Sequence, residues 1–485
     1  MFKDTGVEMI GIKSFGVHIP FLRLSRQSIA QYWGSSPTEH GERAVANWDE
    51  DAVTMAVGAG INCLRVRSYE RESISELFFA STSFPYKEKQ SAAIVATALD
   101  LPRHCFTVDY GNSIRAATIA LKTAWQSMES NRKGDILITA SDFRLGYPGG
   151  NLEQILGDGA GALLIGNKDV IASIDGYYGV FENFIDMWRA DRDTFVQSWE
   201  DRFIHSEGYL RVMSEVIHEL LKKYGLQPKD FSKLIFNAPD GRRHAELART
   251  IKAPKEVVAD HLFNIVGNTG VASILLSLAA VLDTASPGDK LLIANYGDGA
   301  DAFVLTVTEE INSFRKRNGK MVEAHLKHRK ELASYAKYLT YRELIQVQPS
   351  SRPPSLYPTP PALWRENKGR LSMYGAKCRE CGTIHYPARR VCIKCKAKDN
   401  FEEVNLSGSL GKVFTLSIDH LTANVDRPSV YVVIDLDQGG RVQNWLTDCG
   451  EPEKVTIGMP VEMTFRREQF AGGLYHYGWK PRLIA

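Results

Sequence analysis

Residues 112–142 read NSIRAATIALKTAWQSMESNRKGDILITASD, and residues 268–300 read NTGVASILLSLAAVLDTASPGDKLLIANYGDGA. Each stretch runs through an apolar helix, a polar turn and a Gly-Asp pair into a short apolar strand. A second echo follows in the same order, GDGAGALLIG from Gly157 and GDGADAFVLTV from Gly297. Two matching motifs in one order mark an internal duplication rather than two chance strand–turn–helix units. Both helices are apolar on most sides and are expected to be buried. Two such halves facing across a pseudo-twofold axis predict an α/β protein with αβαβα layers. Ile114 stands 20 residues before Gly134, and Asn268 stands 20 before Gly288, so the two are equivalent helix starts. A buried helix start offers unpaired N–H groups and the positive end of the helix dipole. Both suit a carbonyl or a developing oxyanion, and two related starts should converge on one cleft.

Around this repeat the chain has 485 residues, about three domains' worth at roughly 150 residues each. Lys and Arg number 59 against 57 Asp and Glu, a net charge of +2 that argues against nucleic acid as a partner. No apolar run reaches the roughly eighteen residues of a membrane span. The start, MFKDTGVEMIGIKSFG, lacks the long apolar core of a signal peptide. Seven cysteines, four of them in two tight pairs, do not suggest a disulfide scaffold, and a reducing cytoplasm is expected. Residues 1–170 and 171–312 are read as the two halves of the repeat. Residues 313–360 are read as an amphipathic helical connector and a Pro-rich linker, 361–400 as a cysteine-paired segment and 401–485 as a β-rich tail.

Cys378-Arg-Glu-Cys381 and Cys392-Ile-Lys-Cys395 are two knuckles with ten residues between them. Each can place two thiolates at adjacent corners of a tetrahedron, so structural zinc is expected. Four thiolates close the coordination sphere, and His385 between the knuckles is not needed as a ligand.

The motifs ASTSFPYKEKQSAA, FTVDYGNSIRAATIAL, ITASDFRLGYPGGNLEQILGDGAGALLIG, IDMWRADRD, IFNAPDGRR, VGNTGVAS and ANYGDGADAF occur in order within residues 8–312. In these the chain resembles the thiolase superfamily, specifically 3-hydroxy-3-methylglutaryl-CoA synthases, and also the type-three ketoacyl-ACP synthases. The resemblance implies a nucleophilic Cys five residues after Asp109, where this chain has Ile114. It implies a His where the chain has Asn237 and an acid/base Glu where it has Thr82; Asn268 is retained. Isoleucine cannot form an acyl-thioester. Cys63, Cys105 and Cys449 are read as buried hydrophobes, and His244 as a solvated histidine on a helix surface. Ser113 adjoins the nucleophile position but has no histidine to activate it.

What remains is polar. The N–H groups near Ile114 and the Gly297–Asp298–Gly299 turn can form an oxyanion hole, and Asn237 and Asn268 can orient a thioester carbonyl or a water. Tyr110, Tyr296, Asp240 and Asp298 are the candidates for proton transfer, each with core packing or turn capping as the alternative. By the same resemblance Arg242, with Arg243 beside it, would contact the phosphates of coenzyme A, and Trp188 and Arg189 would line the pocket.

The segment from PPALWRENKGRLSMYGAKC onward resembles the zinc-ribbon plus OB-fold proteins associated with acyl-CoA enzymes. Such modules are found beside or fused to thiolases and methylglutaryl-CoA synthases. The resemblance implies a rubredoxin-like ribbon, an OB barrel and a role in bridging thiolase-fold partners or shaping an acyl-CoA channel. Superfamily members that pair with this module and lack the nucleophilic Cys include steroid side-chain aldolases. Three readings follow. The chain makes or breaks a C–C bond beside an acyl-CoA thioester without a covalent intermediate; it is a silent thiolase-fold subunit that binds acyl-CoA or an active partner; or it is a condensing acyltransferase with an unrecognised nucleophile. A homodimer, with a possible further thiolase-fold partner, is expected from the resemblance.

Overall fold

A computed structural model describes residues 9–65, 70–130, 134–348 and 356–484. It contains two compact units. One comprises Met1–Ala46, Asp51–Ala96 and Leu101–Tyr335, and the other comprises Asn47–Glu50, Thr97–Asp100 and Ala336–Ala485.

In the first unit the strands β1 (Gly11–His18), β2 (Ile74–Ala80), β3 (Phe106–Tyr110), β4 (Asp135–Asp142) and β5 (Gly159–Gly166) come from the first half. Strands β6 (Ala172–Phe181), β7 (Lys233–Phe236), β8 (Lys290–Tyr296) and β9 (Gly299–Val307) come from the second. They form one sheet in the order β7-β8-β9-β6-β1-β5-β4-β2-β3. The duplication is visible in the pairing. β2–β4 and β7–β8 are parallel, while β4–β5 and β8–β9 are antiparallel. The halves meet where β1 and β6 pair through Gly11↔Ser173 and Ile12↔Ala172. The partner that β3 gives β2 is reduced in the second half to a single parallel bridge, Leu234↔Val258.

Helices α1 (Ala52–Leu64), α2 (Ser91–Ala98), α3 (Ala116–Glu129), α4 (Arg211–Tyr224), α5 (Gly241–Thr250) and α6 (Ser273–Leu282) cover the sheet. The repeat helices α3 and α6 enter one core through small and branched side chains such as Ala117, Ala120, Leu275 and Leu278, all fully or almost fully buried. Small residues let a helix approach the sheet closely, which explains the Ala-rich sequence of α3. The repeat's polar turn in the first half, residues 131–133, lies outside the described residues.

The helical connector read at the start of 313–360 is built of several short elements. Helices Glu310–Asn318 and Met321–Lys327 are followed by a two-residue strand and by Tyr335–Tyr341. Gly319, at φ +67, ends the first piece, and the Asp283 carboxylate accepts the Met321 and Val322 N–H groups that begin the second, at 3.0 and 2.7 Å. Those bonds tie the connector to the repeat domain, so the first unit runs to Tyr335 rather than ending near 312. The centre of the Pro-rich linker, 349–355, lies outside the described residues.

The second unit holds a three-stranded ribbon of Tyr374–Cys378, Ile384–His385 and Phe401–Asn405, and a five-stranded antiparallel sheet spanning Leu410–Leu483. Ser429–Leu436 alternates half-buried and buried positions, the period of a strand with one face on a core. Arg466 is fully buried here and paired with Glu50 and Asp448, while Lys480 meets Asp49 at 2.9 Å. Among the described residues no helix is long and apolar enough to cross a membrane.

Candidate functional site

Ile114 and Asn268 occupy matching places, each two residues before a helical turn, at Ala116 and at Gly270. Ile114 is half-buried, and the end of β8 is pressed against it. A Cβ on Gly297 would lie 2.7 Å from Ile114 Cγ1 and 2.9 Å from the Arg115 nitrogen. Only glycine brings this backbone so close to the first helix start. Behind Ile114, Asn295 Nδ2 donates to the Thr118 hydroxyl at 3.2 Å, and that hydroxyl donates to buried Asp301 at 2.8 Å. This network fixes the base of α3.

The two halves are joined by Asp142, the last residue of β4 and fully buried. Its Oδ1 accepts from the Thr82 nitrogen at 2.8 Å, the Thr82 hydroxyl at 2.9 Å and the Ser83 hydroxyl at 2.9 Å. Its Oδ2 accepts from the Val271 nitrogen at 2.9 Å, at the second helix start. Arg144, almost fully buried, lies 3.7 Å from Asp142 and donates to Asn268 Oδ1 at 3.1 Å. Asn268 Nδ2 in turn donates to the Ala238 and Pro239 carbonyls. Thr82 and Asn268 therefore hang from one carboxylate. Asp142 and Arg144 lie in ITASDFRLG, one of the motifs that carry the family resemblance, but their role is not legible there, because each acts through partners far along the chain.

Asn237 is held differently. Its Oδ1 accepts from the Tyr296 nitrogen at 2.9 Å and its Nδ2 donates to the Tyr296 carbonyl, so the amide extends the β7–β8 ladder by one residue. Tyr296 is 5% exposed, and its hydroxyl is hydrogen-bonded to Asp186. Burial first, then Asp186, pushes the phenol well above its ordinary range, so it stays protonated at neutral pH. Burial also raises the Asp186 carboxyl, helped by Asp298, while the Met187 N–H and the Tyr296 hydroxyl pull it back down. Ile204–Leu210 forms a π-helical stretch, and a Cβ on its Gly208 would lie 2.7 Å from the Tyr296 hydroxyl. Such widened turns recur at functional positions, and here the missing side chain leaves room for the phenol. Asp186 lies in IDMWRAD, but its role is not legible there, because its partner Tyr296 is remote in sequence.

The other candidates fall as follows. Asp298 is exposed at the tip of the β8–β9 hairpin, at φ +46. Tyr110 packs on Phe78 at 5.3 Å, part of the core wall. Asp240 caps α5 by accepting the Arg243 nitrogen at 2.9 Å. Arg243 pairs with both Asp240 and Asp201, so its charge is already engaged, whereas Arg242 is exposed and forms no ion pair among the described residues. Arg189 donates to the Thr82 carbonyl, and Trp188 is 39% exposed.

Three expectations are corrected, those for His244, Cys105 and Cys449. His244 is 6% exposed rather than on a solvated surface, because α5 turns it onto Phe236 at a ring distance of 4.3 Å. Cys105 is only half-buried, preceding the edge strand β3 rather than sitting in the core, and burial together with Glu76 pushes its thiol up to about 11. Cys63 is buried as expected, and Cys449 is half-buried in the second unit.

In the second unit Cys378, Cys381, Cys392 and Cys395 bring their sulfurs within 4.8 Å of one another, with Cys378–Cys395 and Cys381–Cys392 at 3.5 Å. Four sulfurs about 2.3 Å from a tetrahedral zinc stand about 3.8 Å apart, so the set fits the ion. The Thr383 hydroxyl and N–H hold the Cys381 thiol down to about 6, which favours the thiolate a metal needs.

The duplicated nine-stranded sheet, the paired helix starts and the Asn-bearing rim between them define a thiolase-fold protein of the acyl-condensing class. Residues 221–308 match the model of the 3-oxoacyl-[acyl-carrier-protein] synthase III C terminal, 372–402 the ChsH2 rubredoxin-like zinc ribbon domain and 403–466 the ChsH2 C-terminal OB-fold domain. The hydroxymethylglutaryl-CoA synthase of Pyrobaculum aerophilum is 32% identical over 347 residues, covering 70% of this chain and 99% of that protein. That of Methanocaldococcus jannaschii is 31% identical over 348 residues, 70% and 100% of the two chains. A crystal structure of a hydroxymethylglutaryl-CoA synthase complexed with CoA superposes with a TM-score of 0.64 at 22% identity, covering 73% of this chain and 96% of its own. The chain belongs to the hydroxymethylglutaryl-CoA synthase family, extended by a structural zinc ribbon and an OB fold.

Proposed function

We propose that the protein binds an acyl-CoA and forms or cleaves a C–C bond next to the thioester, by aldol or retro-aldol chemistry, with no acyl group attached to the chain. The observation that carries this reading is Ile114. A hydrocarbon side chain stands where the family resemblance expects a thiol, wedged against Gly297. Thr82 and Asn237 replace a carboxylate and an imidazole, and both are engaged in hydrogen bonds that fix the site's frame. The positive end of helix α3 beside Ile114 would stabilise the thioester oxygen as it gains enolate charge. The Asp186–Tyr296 pair would move a proton at the β-oxygen, since its phenol is neutral and burial raises its carboxyl above the ordinary value. Arg242, free of ion pairs, is left to meet the phosphates, and Trp188 the pocket wall.

The edge strand β3 pairs on one side only among the described residues, and Phe106 on it is 58% exposed. A second copy of the chain adding to this edge agrees with the homodimer that the resemblance implies. Incubating the zinc-loaded chain with a panel of 3-hydroxyacyl-CoAs, 3-hydroxy-3-methylglutaryl-CoA included, should release a shorter acyl-CoA and a carbonyl compound, while intact-protein mass stays unchanged. An acyl adduct on the protein would overturn the reading in favour of a covalent acyltransferase, and binding without cleavage would favour a silent subunit.

A further inference from the structure

A cavity of about 40 Å3 lies between the end of β7, helix α5 and the loop leading to α6. Its lining includes Asn237 and Asn268, the two asparagines of the site's rim, together with Asp240, His244, His261 and Ser273. Since one water occupies about 10–15 Å3 by this measure, the space holds about three waters, with these polar groups on part of a wall that Phe236, Leu262, Val266 and Leu276 help to complete. His244 enters from the first turns of α5, stacked on Phe236, and His261 meets it edge-on at 4.9 Å. Neither ring nitrogen of His244 finds a hydrogen-bond partner among the described residues, and the buried Nδ1 of His261 has none either. A side chain 94% buried with both ring nitrogens unpaired costs stability unless something polar occupies the adjacent space.

The cavity is linked to the carbonyl-binding end through Asn237. Gly297 touches Ile114, Tyr296 precedes it, and Asn237 is hydrogen-bonded to Tyr296 and lines the cavity. Carbon–carbon chemistry beside a thioester needs two proton-transfer positions, one at the β-oxygen and one at the α-carbon, and Asp186–Tyr296 supplies only the first. We infer that His244 is the proton acceptor and donor for the α-carbon, working through water in the cavity it shares with Asn237 and Asn268. The step balances. The α C–H bond breaks and its electron pair enters the enolate; the proton goes to the water, and a water proton goes to His244, giving imidazolium. Reprotonation of the enolate runs the same path backwards.

Burial, reinforced by His261, depresses His244 to about 4, so it stands as neutral imidazole at neutral pH, the form a base requires. Asp240 and Asp260 act on His261 in the opposite sense, and Arg26 in the same. The assignment rests on the enolate reading above, and the test separates the two. Acetyl-CoA and butanoyl-CoA are incubated in D2O with the full chain, and deuterium at C2 is read by mass spectrometry across pH. The native protein should exchange, and H244F and H244Q should lower the rate about 100-fold or more while CoA affinity is kept. H261Q, from a separate loop, should shift the acid limb of the profile to higher pH, because the neighbour that depresses His244 is gone. If neither thioester exchanges with the native chain, the enolate reading falls and this assignment with it. If exchange and its pH profile survive H244Q and H261Q, the assignment alone falls.

Discussion

Gly270→Ala tests the claim that Asp142 holds both halves of the site together. Gly270 has φ +58, and a Cβ there would lie 2.2 Å from Asp142 Oδ2 and 2.8 Å from Arg144 Nε. The left-handed backbone alone costs a side-chain-bearing residue about 1–2 kcal/mol. Neither neighbour can retreat cheaply. Asp142 is fixed by Ser81, Thr82, Ser83 and Val271, and Arg144 is buried against Asn268. Displacing the carboxylate breaks the charge-assisted bond to Val271, worth about 1.5–3 kcal/mol, for a total of about 3 kcal/mol or more. Gly225→Ala is the internal control. It has φ +65 at the end of α4 with no atom within 4 Å, so it carries the backbone cost without the clash. Circular-dichroism melts of the zinc-loaded chain at one concentration should show G270A roughly 2–4 °C below G225A. Calorimetric titration should show weakened acyl-CoA binding in G270A only. Equal melting temperatures and equal affinities for the two variants would refute the idea that Asp142 is a rigid hub.

Tyr296→Phe removes a hydrogen bond that lowers the Asp186 carboxyl, so that carboxyl should rise further. A bond to a charged group is worth about 1.5–3 kcal/mol, equivalent to about one to two pH units, and the acid limb of the cleavage profile should move upward by that amount with kcat reduced about 100-fold or more. An unmoved limb would detach Tyr296 from Asp186. Cys392→Ser opens the four-sulfur set, so elemental analysis should fall from one zinc per chain towards none, and the melting transition of the second unit should drop or vanish. Full zinc retention in that variant would mean the ion sits elsewhere.

The sequence by itself determined the duplication, the equivalence of Ile114 and Asn268, and the zinc knuckles. Each is a local pattern in which spacing along the chain is the geometry: a helix start precedes its helix, and two residues between cysteines set a tetrahedral edge. Only the tertiary structure decided which groups equip the site. Asp142 meets Val271 across 129 residues, Asp186 meets Tyr296 through a separate excursion of the chain, and α5 faces inward so that His244 is buried where a solvated surface had been expected. Arg243, attractive in sequence as a phosphate ligand, is taken by Asp240 and Asp201. Charge and burial are properties of a neighbourhood, and in a sheet interleaving two halves of one chain most neighbours are remote in sequence. A residue type announces what chemistry is possible, while the packing around it decides whether that chemistry is free to act.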